Sequence, residues 1–366
     1  MKTSNKIIFG SLAAGALMVT AGTAAGLGVA LTGRHLYHRL RRRSGRLAYA
    51  WSGDDLRGQT VLITGSSRGL GLALAEQFAR EGCNLVLCAR NERDLARARQ
   101  RVERLGAEVY AGTCDVSQPK QVDHLISAAR RHFGRVDILV NNAGTISVGP
   151  LESQTLDDFH EAMDHIFWGT VYPTLAVVPE MIDRERGHIV NVTSIGGRVS
   201  VPHMLPYSAA KFATVGFSEG LHAELRRFGI HVLTVVPGLM RTGSHLNAHF
   251  KGDHESEYGW FAVSATNPLL SISAERAARK IVEATRHRRA DVVLGWQAKA
   301  LAHAHHASPG LIAEALGLVN LLLPRAQRGS VQKKRGHESE SQLTRSPLTR
   351  LGRRAALRYN QVEEAA

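Results

Sequence analysis

The chain has 366 residues, with 44% hydrophobic and 21% charged side chains, which excludes a wholly disordered protein. Its three cysteines, Cys83, Cys88 and Cys114, are too few for a disulfide scaffold and match no Cys-x-x-Cys pair, so a reducing compartment is expected. The net charge of +14 is confined to the two ends: residues 1–53 carry eight Lys/Arg and no acid, residues 325–366 carry ten against four, and the body between them is neutral. A neutral body flanked by basic tails argues against a nucleic-acid groove and favours contact with a membrane surface.

In chain order, the first feature is a stretch without charge from Ile7 to Leu31. At the rise of a helix it spans about 37 Å, enough for a bilayer core. It contains Gly22-x-x-x-Gly26, a small-residue packing face. Lys2 and Lys6 precede it, whereas Arg34, Arg39, Arg41, Arg42, Arg43 and Arg46 follow. That asymmetry predicts a single-pass anchor with the body facing the cytoplasm. A cleaved signal peptide and an Arg-rich transit peptide are the competing readings.

From residue 59 onward, short apolar runs alternate with helical periods. Strands are expected at Thr60–Thr64, Asn84–Ala89, Glu108–Ala111, Ile138–Asn141, His188–Thr193, Ile230–Val236 and Asp291–Gly295. Helices are expected at Gly71–Glu81, Glu92–Leu105 and Gln118–Phe133. Continuous apolar strands separated by helices predict a parallel sheet covered on both faces. The fold class is therefore α/β, a Rossmann-type doubly wound sheet, which binds ligands outside the carboxyl ends of its strands.

The first strand runs into Thr64-Gly65-Ser66-Ser67-Arg68-Gly69-Leu70-Gly71. Glycines permit a tight turn and close backbone approach to a pyrophosphate, and the following helix offers free N–H groups. Position after the first strand and at the opening of a helix favours a dinucleotide motif, with an ordinary glycine turn as the alternative. An acid ending the second strand would bind the ribose 2′-OH of NAD. That strand ends instead in Cys88-Ala89-Arg90, and Arg90 and Arg68 offer two guanidinium groups to a 2′-phosphate. NADP is the expected cofactor; the alternative leaves both arginines as surface side chains.

With these motifs in view, residues 58 to about 295 resemble the short-chain dehydrogenase/reductase family in its NADP-preferring form. The resemblance rests on TGSSRGLG (64–71), Cys114-Asp115-Val116, Asn141-Asn142-Ala143-Gly144, Ser194, Tyr207-Ser208-Ala209-Ala210-Lys211, and Pro237-Gly238 with Thr242. It implies that Asp115 and Val116 flank the adenine. It also implies that Asn141 supports the central strand, and that Asn142, Ala143, Gly144, Pro237, Gly238 and Thr242 border the cofactor. Tyr207 and Lys211, four apart, share a helix face. A nearby ammonium lowers a phenol's pKa, so Tyr207 is the expected acid/base. Ser194 is expected to stabilise the reacting oxygen. Lys211 is expected to hold the nicotinamide ribose, as in family members.

One position departs from the family pattern. The asparagine usual three residues before a helix glycine is replaced by Ile166 in Asp164-His165-Ile166-Phe167-Trp168-Gly169. Ile166 cannot hydrogen-bond, so a proton relay there is in doubt; neighbouring His165 is one substitute, and a packing histidine is the plainer reading.

The organisation expected is an anchor and basic linker over 1–53 and a catalytic domain over 54–324. The domain includes a substrate-covering stretch at about 239–270, carrying Phe250, Tyr258, Trp260 and Phe261, and apolar helices at about 296–324. Residues 325–366, rich in basic and small polar side chains, read as a disordered tail. His303, His305 and His306 lack partners for a metal site and read as a polar helix face. The function expected is interconversion of a carbonyl and a hydroxyl on a hydrophobic small molecule. The alternative is a catalytically impaired NADPH-binding sensor or scaffold. The resemblance also implies a homodimer or homotetramer paired through 157–178 and 207–227, with no nucleic acid bound.

Overall fold

The computed structural model describes residues 53–326, 331–342 and 344–362. The expected anchor Ile7–Leu31 and the arginines at 34–46 lie outside these. Among the described residues, no helix is long and apolar enough to cross a membrane.

The body begins with β1 (Thr60–Thr64), α1 (Gly69–Arg80), β2 (Asn84–Ala89), α2 (Glu92–Glu103), β3 (Val109–Thr113), α3 (Pro119–Phe133) and β4 (Ile138–Asn141). After β5 (Ser147–Val148), α4 (Leu156–Ala162) passes through a π-helical turn at Met163–Trp168 into α5 (Gly169–Asp183). Then come β6 (Gly187–Val192), α6 (Leu205–Leu225), β7 (Ile230–Pro237), β8 (Leu239–Arg241), β9 (His249–Phe250) and α7 (His254–Thr266). The series closes with β10 (Ser271–Ser273), α8 (Ala274–Arg286), β11 (Asp291–Leu294), α9 (Trp296–Ala307), α10 (Pro309–Asn320), β12 (Lys334–Arg335) and α11 (Arg350–Arg358).

The main sheet has seven parallel strands in the order β11-β7-β6-β4-β1-β2-β3. The order reverses beside β1, which opens the crevice where such sheets bind ligands. Alternation along the strands divides the core in two. Val61, Ile63, Leu85 and Leu87 point to one face and meet Leu72, Phe78 and Ile281. Leu62 and Val86 point to the other and meet Val122, Ile126, Val177 and Met181. All seven expected strands form, with ends shifted by at most two residues. Helix α1 starts at Gly69, two residues before the expected Gly71, because the glycine turn itself winds into the helix.

The 325–366 segment departs from expectation. It is folded onto the body over residues 331–342 and 344–362. Strand β12 pairs with β9, Arg335 opposite His249, and α11 packs against α7. Tyr359 is 1% exposed and belongs to the core beside α1 and α8. A segment of low overall hydropathy orders here because its few large side chains meet prepared sites. Gly243 and Gly352 allow the close approach: a Cβ on Gly243 would lie 2.4 Å from the Ala356 backbone. Lys333 donates to Asp158 at 2.9 Å and pairs with Glu161.

Helices α9 and α10 form the expected apolar pair. Helix α10 buries none of its residues, and Leu311, Leu318, Leu321 and Leu322 at and just beyond it face outward.

Candidate active site

The glycine-rich turn joins β1 to α1 at the carboxyl edge of the sheet. Gly65 has φ 63°, a left-handed conformation that favours glycine, and a Cβ there would sit 2.9 Å from the Ala143 backbone. Gly71 is tighter still: its Cβ would fall 2.2 Å from the Gly65 carbonyl oxygen. Ser66 ties the turn to β2, its Oγ accepting the Cys88 N–H at 2.8 Å. The Thr64 hydroxyl accepts the N–H groups of Asn142 and Ala143 at 2.9 and 3.0 Å, and Asn142 Nδ2 returns a bond to the Thr64 carbonyl at 2.9 Å. The 64–71 and 141–144 segments are therefore one rigid unit.

The first N–H groups of α1 have no intrahelical partner by geometry, and Arg68 in the capping position supplies no side-chain acceptor. These donors, the glycine cradle and Arg90 after β2 fit a dinucleotide pyrophosphate and ribose. Burial pushes the Arg68 guanidinium pKa down; Asp94 opposes this, while Arg335 and Arg90 add to it as like charges. At the end of β3, burial raises the Asp115 carboxyl, but hydrogen bonds from the Ser117 N–H and hydroxyl outweigh it and hold the group below its usual range. Val116 lies against the Gly169 position, where a Cβ would be 2.8 Å from its Cγ2.

Ser194 follows β6, its Oγ accepting the Gly196 N–H at 3.0 Å. Tyr207 stands in the first turn of α6, half-buried, with its hydroxyl bonded to Ser194. Lys211, one turn on and 5% exposed, donates from Nζ to the Val192 carbonyl at 2.9 Å and lies 5.8 Å from the Tyr207 ring centroid. Burial pushes its pKa from 10.5 down to about 8. Burial pushes the Tyr207 phenol up, and the Ser194 bond pulls it down. Burial is the larger effect, so the phenol is raised, and Lys211 adds no lowering of the kind expected. Lys211 Nζ is also 3.8 Å from where Gly144 would carry a Cβ, at ordinary contact distance.

Ile166 is 1% exposed and packs with Ala162, Ala210 and Tyr207. It lies in the π-helical turn, a feature found mostly at functional sites. His165 turns its Nδ1 toward Asp115, 3.8 Å away. The carbonyl of Ile166 instead accepts the Thr170 hydroxyl at 2.8 Å.

Sequence reasoning missed a buried polar chain beneath the site. Asn141 Nδ2 donates to Asn191 Oδ1 and Thr174 Oγ1, both at 2.9 Å; Asn191 donates to Ser218 at 2.9 Å, and Ser218 meets Thr234 at 2.7 Å. These residues lie on three strands and two helices, so no local motif announces them. It also missed Gly196 and Gly197; a Cβ on Gly197 would be 2.7 Å from the Lys211 carbonyl oxygen.

The remaining expected residues also gather at this edge. Gly238, after Pro237 ends β7, donates to the Leu294 carbonyl at 2.9 Å. Thr242 bonds Ser244 at 2.9 Å and borders Gly69. Beyond the Ser194-to-Tyr207 segment lies a cleft of about 1010 Å³, lined by Leu151, Val201, His203, Leu205, Leu316 and Leu321 among others. Its lining does not include the Ser194, Tyr207 or Lys211 side chains. His203 is fixed there by Glu257 at 2.7 Å, and Glu257 also accepts Trp260 Nε1 at 2.8 Å. Among the described residues no group of side chains could hold a metal, and His303, His305 and His306 lie along α9.

The sequence profile of the short chain dehydrogenases matches residues 59–250. The chain belongs to the short-chain dehydrogenase family. It is 35% identical over 257 residues to dehydrogenase/reductase SDR family member 7B of Xenopus tropicalis, covering 69% of this chain and 82% of that protein. The actinorhodin polyketide ketoreductase, solved as a Phe-to-Trp variant with NADPH, superposes with a TM-score of 0.58 at 28% identity, over 65% of this chain and 95% of that one. A short chain dehydrogenase from Mycobacterium paratuberculosis bound to NAD gives 0.59 at 25% identity, over 66% and 97%. As a short-chain dehydrogenase it is an oxidoreductase of nicotinamide cofactors, and its relatives take either NADPH or NAD.

Proposed function

We propose that this short-chain dehydrogenase uses NADP(H) to interconvert a carbonyl and a hydroxyl on a hydrophobic small molecule. The observation that carries the reading is the Ser194–Tyr207–Lys211 group at the end of β6, with both hydroxyls hydrogen-bonded to each other and the ammonium one helical turn away. A carbonyl oxygen placed between the two hydroxyls would accept from both. Ser194 would hold the developing negative charge, and Tyr207 would deliver its proton to that oxygen. The raised phenol keeps Tyr207 protonated at neutral pH, the form that reduction needs. Lys211 would stabilise the phenolate left behind and donate to the nicotinamide ribose. The cofactor, when bound, supplies the hydride.

NADP is favoured by Arg68 and Arg90 and by the lack of an acid at the end of β2. The aromatic side chains Phe250, Tyr258, Trp260 and Phe261 in the 239–270 stretch support a hydrophobic substrate. Exposed Trp168, Leu175 and Phe212 on α5, α6 and the turn before α5 support pairing of copies through these helices. Attachment to a membrane by Ile7–Leu31, with the body in the cytoplasm, rests on the charge pattern of the sequence.

The test is NADPH oxidation measured against a panel of aldehydes, ketones and quinones. Tyr207→Phe is expected to lower turnover by about 10²–10⁴-fold with NADPH binding nearly unchanged. Arg90→Asp is expected to shift preference toward NADH. No turnover with any carbonyl, together with tight NADPH binding, would favour the sensor reading, for which buried Ile166 is the supporting departure.

A further inference from the structure

The C-terminal segment, which family resemblance does not reach, ends on the glycine-rich turn. The Gly69 N–H, which has no partner within α1, gives its hydrogen bond to the Tyr359 carbonyl at 2.9 Å. Asn360 then takes a left-handed conformation, φ 54°, and its Nδ2 donates to the Ser67 carbonyl at 3.2 Å. Gln361 comes so near that a Cβ on Gly69 would be 2.8 Å from its Nε2. The Gln361 backbone and side-chain oxygens both accept from Asn247 Nδ2 at 2.8 Å. Tyr359 anchors this turn from beneath, with Arg101 and Arg358 over its ring at 5.9 and 5.6 Å.

We propose that the C-terminal segment is a wall of the dinucleotide site: Asn360 and Gln361 hold the glycine-rich turn in its binding shape. This rests on the cofactor reading above and deepens it, since it assigns positioning residues some 100 residues beyond the stretch matched by the family profile. Asn360 and Gln361 act through the turn on any dinucleotide.

The experiment titrates full-length protein with NADPH and NADH by fluorescence and follows release of each by stopped flow. Asn360→Ala with Gln361→Ala is expected to speed release of both nucleotides about three- to tenfold, the loss of one or two neutral hydrogen bonds. In the same double variant, hydrogen exchange in the 64–72 peptide is expected to quicken without a nucleotide. Asn360 is half-buried and Gln361 is 8% exposed, and unchanged circular dichroism verifies the fold of the double variant. A double variant matching wild type in release of both nucleotides and in exchange would overturn the proposal. A wild type that takes up neither nucleotide would overturn the cofactor reading instead.

Discussion

Replacing Lys211 with Met keeps the side-chain length and removes the charge. Burial lowers the Lys211 pKa from 10.5 to about 8, which corresponds to about 3 kcal/mol against holding it charged in the fold. Losing its bond to the Val192 carbonyl offsets about 1–2 kcal/mol of that relief. Lys211→Met is therefore expected to be more stable than wild type at pH 7, by about 1–2 kcal/mol or about 2–8 °C in melting temperature. The sign follows from linkage. The folded pKa lies below the unfolded one, so between about 8 and 10.5 the unfolded chain binds more protons. Wild-type stability then gains with rising pH a contribution that the variant lacks, and the advantage of the variant disappears by about pH 10.5. Turnover at pH 7 is expected to fall by about 10²–10⁴-fold. Melting curves of both proteins from pH 7 to 10.5 and NADPH oxidation at pH 7 measure the two effects. A variant less stable than wild type at pH 7, or a stability gap indifferent to pH, would refute the reasoning.

The same ammonium sets a pH profile. Carbonyl reduction is expected to decline as pH rises through about 8, where Lys211 loses its charge while the raised Tyr207 stays protonated; initial rates between pH 6 and 9.5 give the midpoint, and a flat profile counts against the assignment. Gly71→Ala places a Cβ 2.2 Å from the Gly65 carbonyl oxygen. It is expected to lower the melting temperature by several degrees and weaken NADPH more than tenfold, both read from one thermal-shift titration.

The sheet was legible in the sequence because each strand is a continuous apolar run closed by a helix signal, as at Thr60–Thr64 and Asn84–Ala89. The chemistry was legible because Tyr207 and Lys211 are local to one helix and Gly65 to Gly71 to one turn. What stayed hidden depends on distant contacts. The Asn141–Asn191–Ser218–Thr234 chain joins residues up to 93 positions apart, each ordinary in its own neighbourhood. The rise of the Tyr207 phenol turned on its burial, which helical spacing does not specify. The C-terminal segment looked disordered because average composition hides a buried Tyr359 and the close-packed Gly336 and Gly352.

That buried tyrosine ties folding to synthesis. Phe78 and Ile281, which share its core, leave the ribosome before Tyr359 does, and at usual elongation rates the interval from Phe78 is about 15–60 s. For that time the nascent α/β body carries an open seam beside α1 and a glycine turn without its outer support. A chaperone bound during translation would find its natural target there, and a premature stop after residue 340 would release a nearly full-length protein with the seam never closed.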